Sequence, residues 1–165
     1  MREKRYYIAY GSNLHLKQMH RRCPNAKVVG SGTLRGYCLV FKGRDGSAYA
    51  TIEPKAGSIV PVLIWELGEH DEKALDRYEG YPESYTKSMM EIEVNRETLS
   101  AMVYVMGPDR KIGIPSNIYL EIIKEGYENA GFDTKGLQEA YRHSQIISEE
   151  TWKACQNSLR FKEPQ

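Results

Sequence analysis

Two short stretches carry residue types that could do chemistry together. They are Tyr10-Gly11-Ser12-Asn13-Leu14 near the start of the chain and Leu75-Asp76-Arg77-Tyr78-Glu79-Gly80 about seventy residues later. In the first, a β-prone run breaks at a Gly-Ser-Asn turn ahead of a short helix. Consecutive backbone N–H groups in such a turn form a nest that can hold a carboxylate or a developing oxyanion. The same pattern often does no more than cap a helix, and taken alone the turn reads as a cap. In the second stretch, Glu79 stands at the last turn of a predicted helix, between Tyr78 and Gly80-Tyr81-Pro82. Shading by Tyr78 and Tyr81 would disfavour the carboxylate and move its pKa up, towards the range useful to a general acid and base. Glu72, Lys73, Asp76 and Arg77 fit an ordinary solvated helix face.

Other chemistries find less support. The histidines, His15, His20, His70 and His143, show no HxxxH or HExxH spacing, and no CxxC is present. They read as surface or rim residues, with no structural zinc and no cofactor expected. No GxSxG, GxxxxGK[ST] or GxGxxG occurs. Cys38, inside the apolar run YCLVF, reads as a buried inert thiol, and Cys23 ends a helix before Pro24.

These candidates need elements to position them. Strands are predicted over residues 4–10, 26–30, 33–42, 48–53 and 59–67, from β-branched and aromatic content between Gly, Pro and Asn breaks. Asn13 is a candidate cap for a helix over 14–21. Gly43-Arg44-Asp45-Gly46 and Gly57-Ser58 read as turns, and Pro61 marks an edge or a bulge. Ala74, Leu75 and Tyr78 share one face of a helix that Gly80 and Pro82 stop. Strands over 84–94 and 100–106 follow, joined by 95–99. Pro115 and Ser116 open a helix to about Ala130, and two further helices are predicted over 134–144 and 148–159, the second capped at Ser148. Strands first and helices last predict an α+β fold on a mainly antiparallel, closed or strongly curved sheet.

Composition sets the outer bounds. A chain of 165 residues, 41% hydrophobic and 27% charged, suits one soluble domain with a real core. A net charge of +1 without basic clusters argues against nucleic acid. No apolar run is long enough for a membrane span or a signal peptide. Three widely spaced cysteines argue against a disulfide framework and for the cytoplasm. Twelve tyrosines against three phenylalanines suggest half-buried walls, with most tyrosines packing there and a few lining a polar pocket.

Taken together, Tyr10-Gly11-Ser12-Asn13-Leu14, Ala50-Thr51-Ile52, Val62 to Trp65, the Leu75 to Gly80 segment, Tyr85, and Pro115-Ser116-Asn117-Ile118-Tyr119 resemble the γ-glutamylcyclotransferase-like (AIG2-like) superfamily. The match covers residue 5 to about 120. The resemblance implies a small mixed β-barrel with flanking helices and a helical C-terminal segment. It implies one domain over 1–165, with a core at about 5–130 and an extension at about 133–160. It also implies an enzyme that cyclises a γ-glutamyl group, releasing 5-oxoproline and an amine or amino acid. Glu79 would then be the catalytic carboxylate, with Tyr10, Gly11, Ser12, Asn13, Leu14, Tyr85 and Tyr119 binding substrate and no cofactor or metal. The expected partner is a small γ-glutamyl molecule, with neither nucleic acid nor membrane involved, and the protein would be a monomer or homodimer. Loops at 81–85 and 109–114 would shape the wall around the leaving group. The alternative is a non-catalytic binder of small carboxylates on the same fold. A protein-interaction role for the last helix is weaker, since Trp152, Leu159 and Phe161 are expected to pack on the core.

Overall fold

The first apolar run of the chain becomes the middle of the sheet. In the computed structural model, which describes residues 3–160, β1 (Arg5–Ala9) lies between two hairpins in the strand order β2-β3-β1-β5-β4. β2 (Lys27–Lys42) and β3 (Tyr49–Leu67) form one long antiparallel hairpin, and β4 (Tyr85–Val94) and β5 (Glu97–Met106) form the other. β1 pairs antiparallel with β3, Tyr7 opposite Trp65, and parallel with β5, Tyr7 opposite Met102. Successive side chains of β1 point to opposite faces, and Tyr7, Ile8 and Ala9 are all buried, so both faces of this strand are covered.

The sheet is mixed and open rather than a closed barrel. Its edge strands β2 and β4 lean together without pairing, because β2 carries glycines there. A Cβ on Gly32 would stand 2.9 Å from Ile92 Cδ1, and one on Gly30 would stand 3.0 Å from Val94 Cγ1.

Several predicted breaks are bends within continuous elements. The runs 26–30 and 33–42 are one strand, as are 48–53 and 59–67. Pairing holds on both sides of the irregularity, Tyr37 with Pro54 and Arg35 with Ile59, so Gly36 and Gly57 take left-handed φ values and the chain bends without reversing. Pro61 pairs with Thr33 of β2 but lies beyond the last β1 pair, Ala9 with Leu63. On the β1 side it has no strand neighbour, an edge position where a missing N–H is tolerated. The β4–β5 connection is only Asn95-Arg96, both at positive φ, a two-residue turn where five residues were expected.

Four helices pack around the sheet. α1 (Leu16–Arg22) follows a single 3₁₀ turn, Ser12–Leu14. α2 (Asp71–Glu79) ends at Gly80, whose left-handed φ of 66° stops it. α3 (Asn117–Ala130) is capped by Ser116 Oγ, which accepts from the Tyr119 N–H at 3.1 Å. α4 (Lys135–Arg160) runs 26 residues unbroken where two helices were expected. Ser148 does not cap it, because its hydroxyl donates to Asp45 instead. Trp152 and Leu159 are exposed rather than packed on the core, and Phe161 lies outside the described residues. Ile8, Phe41, Ile64, Leu75, Met102 and Ile123 are fully buried and join sheet to helices. Among the described residues no helix is long and apolar enough to cross a membrane.

Candidate active site

A cavity of ≈ 260 Å³ opens between the Gly11–Asn13 turn, the end of α2 and the inner faces of β1, β3 and β5. Seven of the twelve tyrosines line it, so the tyrosine excess marks a pocket more than a packing habit. A phenol can turn its apolar ring to the core and its hydroxyl to the cavity.

Glu79 lies on the cavity wall at the last turn of α2. Gly80 places it there, since the left-handed cap turns the chain back at once, and a Cβ on Gly80 would come within 2.9 Å of Ser84 Oγ. The carboxyl makes no hydrogen bond or ion pair among the described residues. Burial pushes its pKa up to about 7, against a smaller downward pull from the Arg22 guanidinium. Of the two tyrosines beside it in sequence, Tyr81 is exposed and off the cavity wall, and Tyr78 is on the wall but 43% exposed, so neither gives most of the shade. It comes from the sheet, where Tyr7, Tyr10 and Tyr85 are buried around the same cavity. Burial first, and then the Glu79 carboxylate, hold the Tyr7 and Tyr10 phenols well above their ordinary value, so both stay protonated.

The turn at Gly11–Leu14 is built from below. Leu14 N–H donates to Gly11 C=O and His15 N–H to Ser12 C=O, both at 3.0 Å. The N–H groups of Gly11, Ser12 and Asn13 open the 3₁₀ turn and have no acceptor within it. Gly11 has an extended φ of −122°, so conformation alone does not require glycine. A Cβ there would make ordinary contacts, 3.4 Å from Ala50 Cβ and 3.6 Å from Tyr119 Oη, and would take up room at the cavity edge.

Asn13 is not the α1 cap. Its amide nitrogen donates to Tyr7 Oη at 2.9 Å, its amide oxygen accepts from Arg22, and its carbonyl accepts from Trp65 Nε1 at 3.2 Å. His15 caps α1 through Nδ1, which accepts from the Gln18 N–H at 3.3 Å. That bond puts the ring proton on Nε2, which donates to Glu125 at 2.6 Å. His15 is thus buried, not a rim histidine. Leu14 is fully buried under α3 and does not line the cavity, so it anchors the turn. Gly126 of α3 makes room for it, since a Cβ there would meet Leu14 Cβ at 2.7 Å.

The other predicted residues converge. Ala50 of β3 holds two tyrosines with its backbone: Tyr85 Oη donates to its C=O at 2.7 Å, and its N–H donates to Tyr119 Oη at 3.0 Å. Tyr10 Oη donates to the Tyr104 carbonyl. Ser12 Oγ lies 3.0 Å from Tyr78 Oη, and the Arg22 guanidinium stacks 3.5 Å from the Tyr78 ring centre. Glu79, Tyr10, Gly11, Ser12, Asn13, Tyr85 and Tyr119 therefore share one cavity.

Sequence reasoning missed the residues that reach the cavity from distant elements. Tyr7, Tyr104 and Arg110 had no local signal except the tyrosine count, and Arg22 and Asp76 stand behind the lining, Arg22 against Tyr78 and Asp76 against Tyr104. Asp76 does not belong to a solvated face. It accepts from Tyr104 Oη and pairs with Lys87 Nζ at 2.8 Å, and Lys87 also pairs with Glu72 at 2.8 Å. These contacts tie α2 to β4 and β5. The thiols stay outside the site. Cys23 is buried and its pKa rises to about 12, chiefly through burial. Cys38 is half-buried rather than buried, and burial raises its pKa too.

Comparison with known proteins agrees with this architecture. The chain is 31% identical over 81 residues to a gamma-glutamylcyclotransferase of Bos taurus, a match spanning 45% of this chain and 43% of the bovine one. The match thus spans less than half of that relative's length. The fold is shared with a solved structure of a gamma-glutamyl cyclotransferase, at a TM-score of 0.74 and 24% identity over 84% of this chain and 86% of the other. It is shared too with an uncharacterized protein of Homo sapiens, at 0.75 and 24% over 84% and 87%. YkqA of Bacillus subtilis superposes at 0.73 and 18% over 87% of this chain and 55% of its own. The model of the family described as gamma-glutamyl cyclotransferase, AIG2-like, matches residues 7–122, and the chain belongs to that family.

Proposed function

We propose that the protein cyclises γ-glutamyl conjugates, releasing 5-oxoproline and an amine or amino acid. The observation that carries this reading is the Glu79 carboxyl, unpaired in a tyrosine-lined cavity and poised near neutrality with a pKa of about 7. A carboxylate kept only to stabilise the fold would be paired. One left free at such a pKa suits proton transfer in both directions.

The reaction moves two protons from the attacking nitrogen to the departing one around a ring closure. The substrate's α-ammonium gives a proton to Glu79, and the freed amine nitrogen attacks the γ-carbonyl carbon. The new C–N bond closes a five-membered lactam through a tetrahedral oxyanion. The N–H groups of Gly11, Ser12 and Asn13 stabilise that oxygen or clamp the α-carboxylate. The γ-amide C–N bond then breaks as the Glu79 carboxyl gives its proton to the departing nitrogen. The ring nitrogen, still carrying one proton too many, gives it to the Glu79 carboxylate, which passes it to the released amine, so a neutral lactam and an ammonium leave. Because nucleophile and electrophile belong to one molecule, the enzyme chiefly holds the folded-back conformer, and the Tyr10, Tyr85 and Tyr119 walls supply that shape. The free thiols Cys23, Cys38 and Cys155 suit a reducing cytoplasm.

A panel of γ-glutamyl amino acids, γ-glutamyl amines and ε-(γ-glutamyl)-lysine, followed for 5-oxoproline by mass spectrometry, tests the reading. Wild type releases 5-oxoproline, and Glu79→Gln slows release by roughly 10²- to 10⁴-fold with its fold intact. Binding without turnover across the panel would instead favour the carboxylate-binding module.

A further inference from the structure

Besides Glu79, the charged side chains lining the cavity are two arginines, Arg77 of α2 and Arg110 of the loop between β5 and α3. Both are exposed. Neither makes an ion pair, a side-chain hydrogen bond or a ring contact among the described residues. Arg22, the other arginine of this region, is already engaged. It donates to Asn13 and to Gln18 at 2.7 Å, and it stacks on Tyr78. So the mouth of a tyrosine pocket presents two guanidinium forks that are unpaired among the described residues, with Glu79 the acidic side chain of the same wall. Arg110 also borders a neighbouring groove lined by Asp45, Glu53 and Glu149. A guanidinium fork matches a carboxylate in shape as well as charge.

We infer that Arg77 and Arg110 select the leaving group by its charge, favouring γ-glutamyl conjugates whose released amine carries a carboxylate. This rests on the cyclotransferase reading above. The geometry divides the substrate between the two ends of the cavity. The glutamyl α-carboxylate shares a carbon with the attacking amine, so it stays beside Glu79 and the Gly11–Asn13 amides. The exposed arginines meet the atoms beyond the scissile nitrogen. A leaving group bearing an ammonium is repelled there, and a neutral one gains nothing.

The test is a matched set with a constant glutamyl end: γ-glutamyl-alanine, γ-glutamyl-ethylamide and γ-glutamyl-(2-aminoethyl)amide. Wild type is expected to prefer the alanine conjugate over the ethylamide by roughly tenfold in kcat/KM, chiefly through KM, with the aminoethyl conjugate poorest. In the Arg77→Gln/Arg110→Gln variant the alanine-to-ethylamide ratio falls to within roughly twofold of one. Both sites are exposed, so the variant keeps its fold. A wild-type ratio near one overturns the inference. So does a variant that loses both substrates equally, because the arginines would then be holding the glutamyl end. In either case 5-oxoproline still forms and the cyclotransferase reading stands. If no conjugate yields 5-oxoproline, the reading fails, and the inference fails with it.

Discussion

At the scale of the residue, Glu79 has a function at odds with its stability. Its folded pKa, about 7, lies above the ordinary 4.5. Between those values the folded state binds more proton than the unfolded state, so stability falls as pH rises through that window. The full cost is present above pH 7 and absent below about 4.5. A neutral amide avoids it. Glu79→Gln is therefore expected to be more stable than wild type at pH 8, by up to about 3 kcal/mol, and equal to it near pH 4.5. Urea melts at the two pH values measure this, and equal stability at pH 8 would mean that the carboxylate is well solvated. The position of Glu79 was legible in the sequence, because Leu75, Glu79 and Gly80 are neighbours on one helix end. The source of its burial was not. Tyr81 adjoins it in sequence yet lies off the cavity wall, and Tyr78 is on the wall but exposed, while the buried Tyr7 and Tyr85 reach it from strands β1 and β4.

At the scale of the element, the question is what fixes the Glu79 helix and the Gly11–Leu14 turn in place. α2 is held by Asp76, which accepts from Tyr104 and pairs with Lys87. Asp76→Ala leaves the half-buried Tyr104 hydroxyl without its acceptor, and a cost of about 1–3 kcal/mol follows. A thermal melt reads that loss, and kcat/KM falls with it as α2 loosens. The turn is held by α3 through the contact of Gly126 with Leu14. In Gly126→Ala the new Cβ would stand 2.7 Å from Leu14 Cβ and 2.9 Å from its carbonyl carbon, and backbone cannot yield as a side-chain tip can. The expected cost is about 1–3 kcal/mol, with activity lost as the turn shifts. A variant with wild-type melting and wild-type turnover would show that α3 does not position the turn. Helix ends marked by Gly80 and Ser116 could be read from local chemistry. The strand breaks at 36 and 57 could not, because glycine signals a bend and a reversal alike, and only the cross-strand register tells them apart.

At the scale of the whole molecule, two hairpins flank β1 and the cavity opens where they meet α2. α4 stands apart from this arrangement. Its first half is buried through Leu137, Ala140 and Ser144, which face the sheet. From Glu149 to Leu159 its side chains are exposed, apart from a half-buried Gln156. A chain ending at residue 148 keeps every buried position of the helix, and we expect it to lose less than about 1 kcal/mol and to retain full turnover. A larger loss in a denaturant melt would mean that the second half of α4 carries packing of its own. The α+β class was legible because strand and helix periods occupy different parts of the chain. The long single α4 was not, since its exposed second half is held by its own backbone and by Ser148 on Asp45.

The central claim is that one carboxylate near neutrality carries the proton both ways. Its most direct test is the pH dependence of kcat/KM for 5-oxoproline release, measured on wild type and Glu79→Gln. The wild-type profile is expected to have an acidic limb that rises tenfold per pH unit and bends near pH 7, with the Gln variant slow throughout. A wild-type profile flat between pH 5 and 8, or a Gln variant that turns over at the wild-type rate, would contradict it.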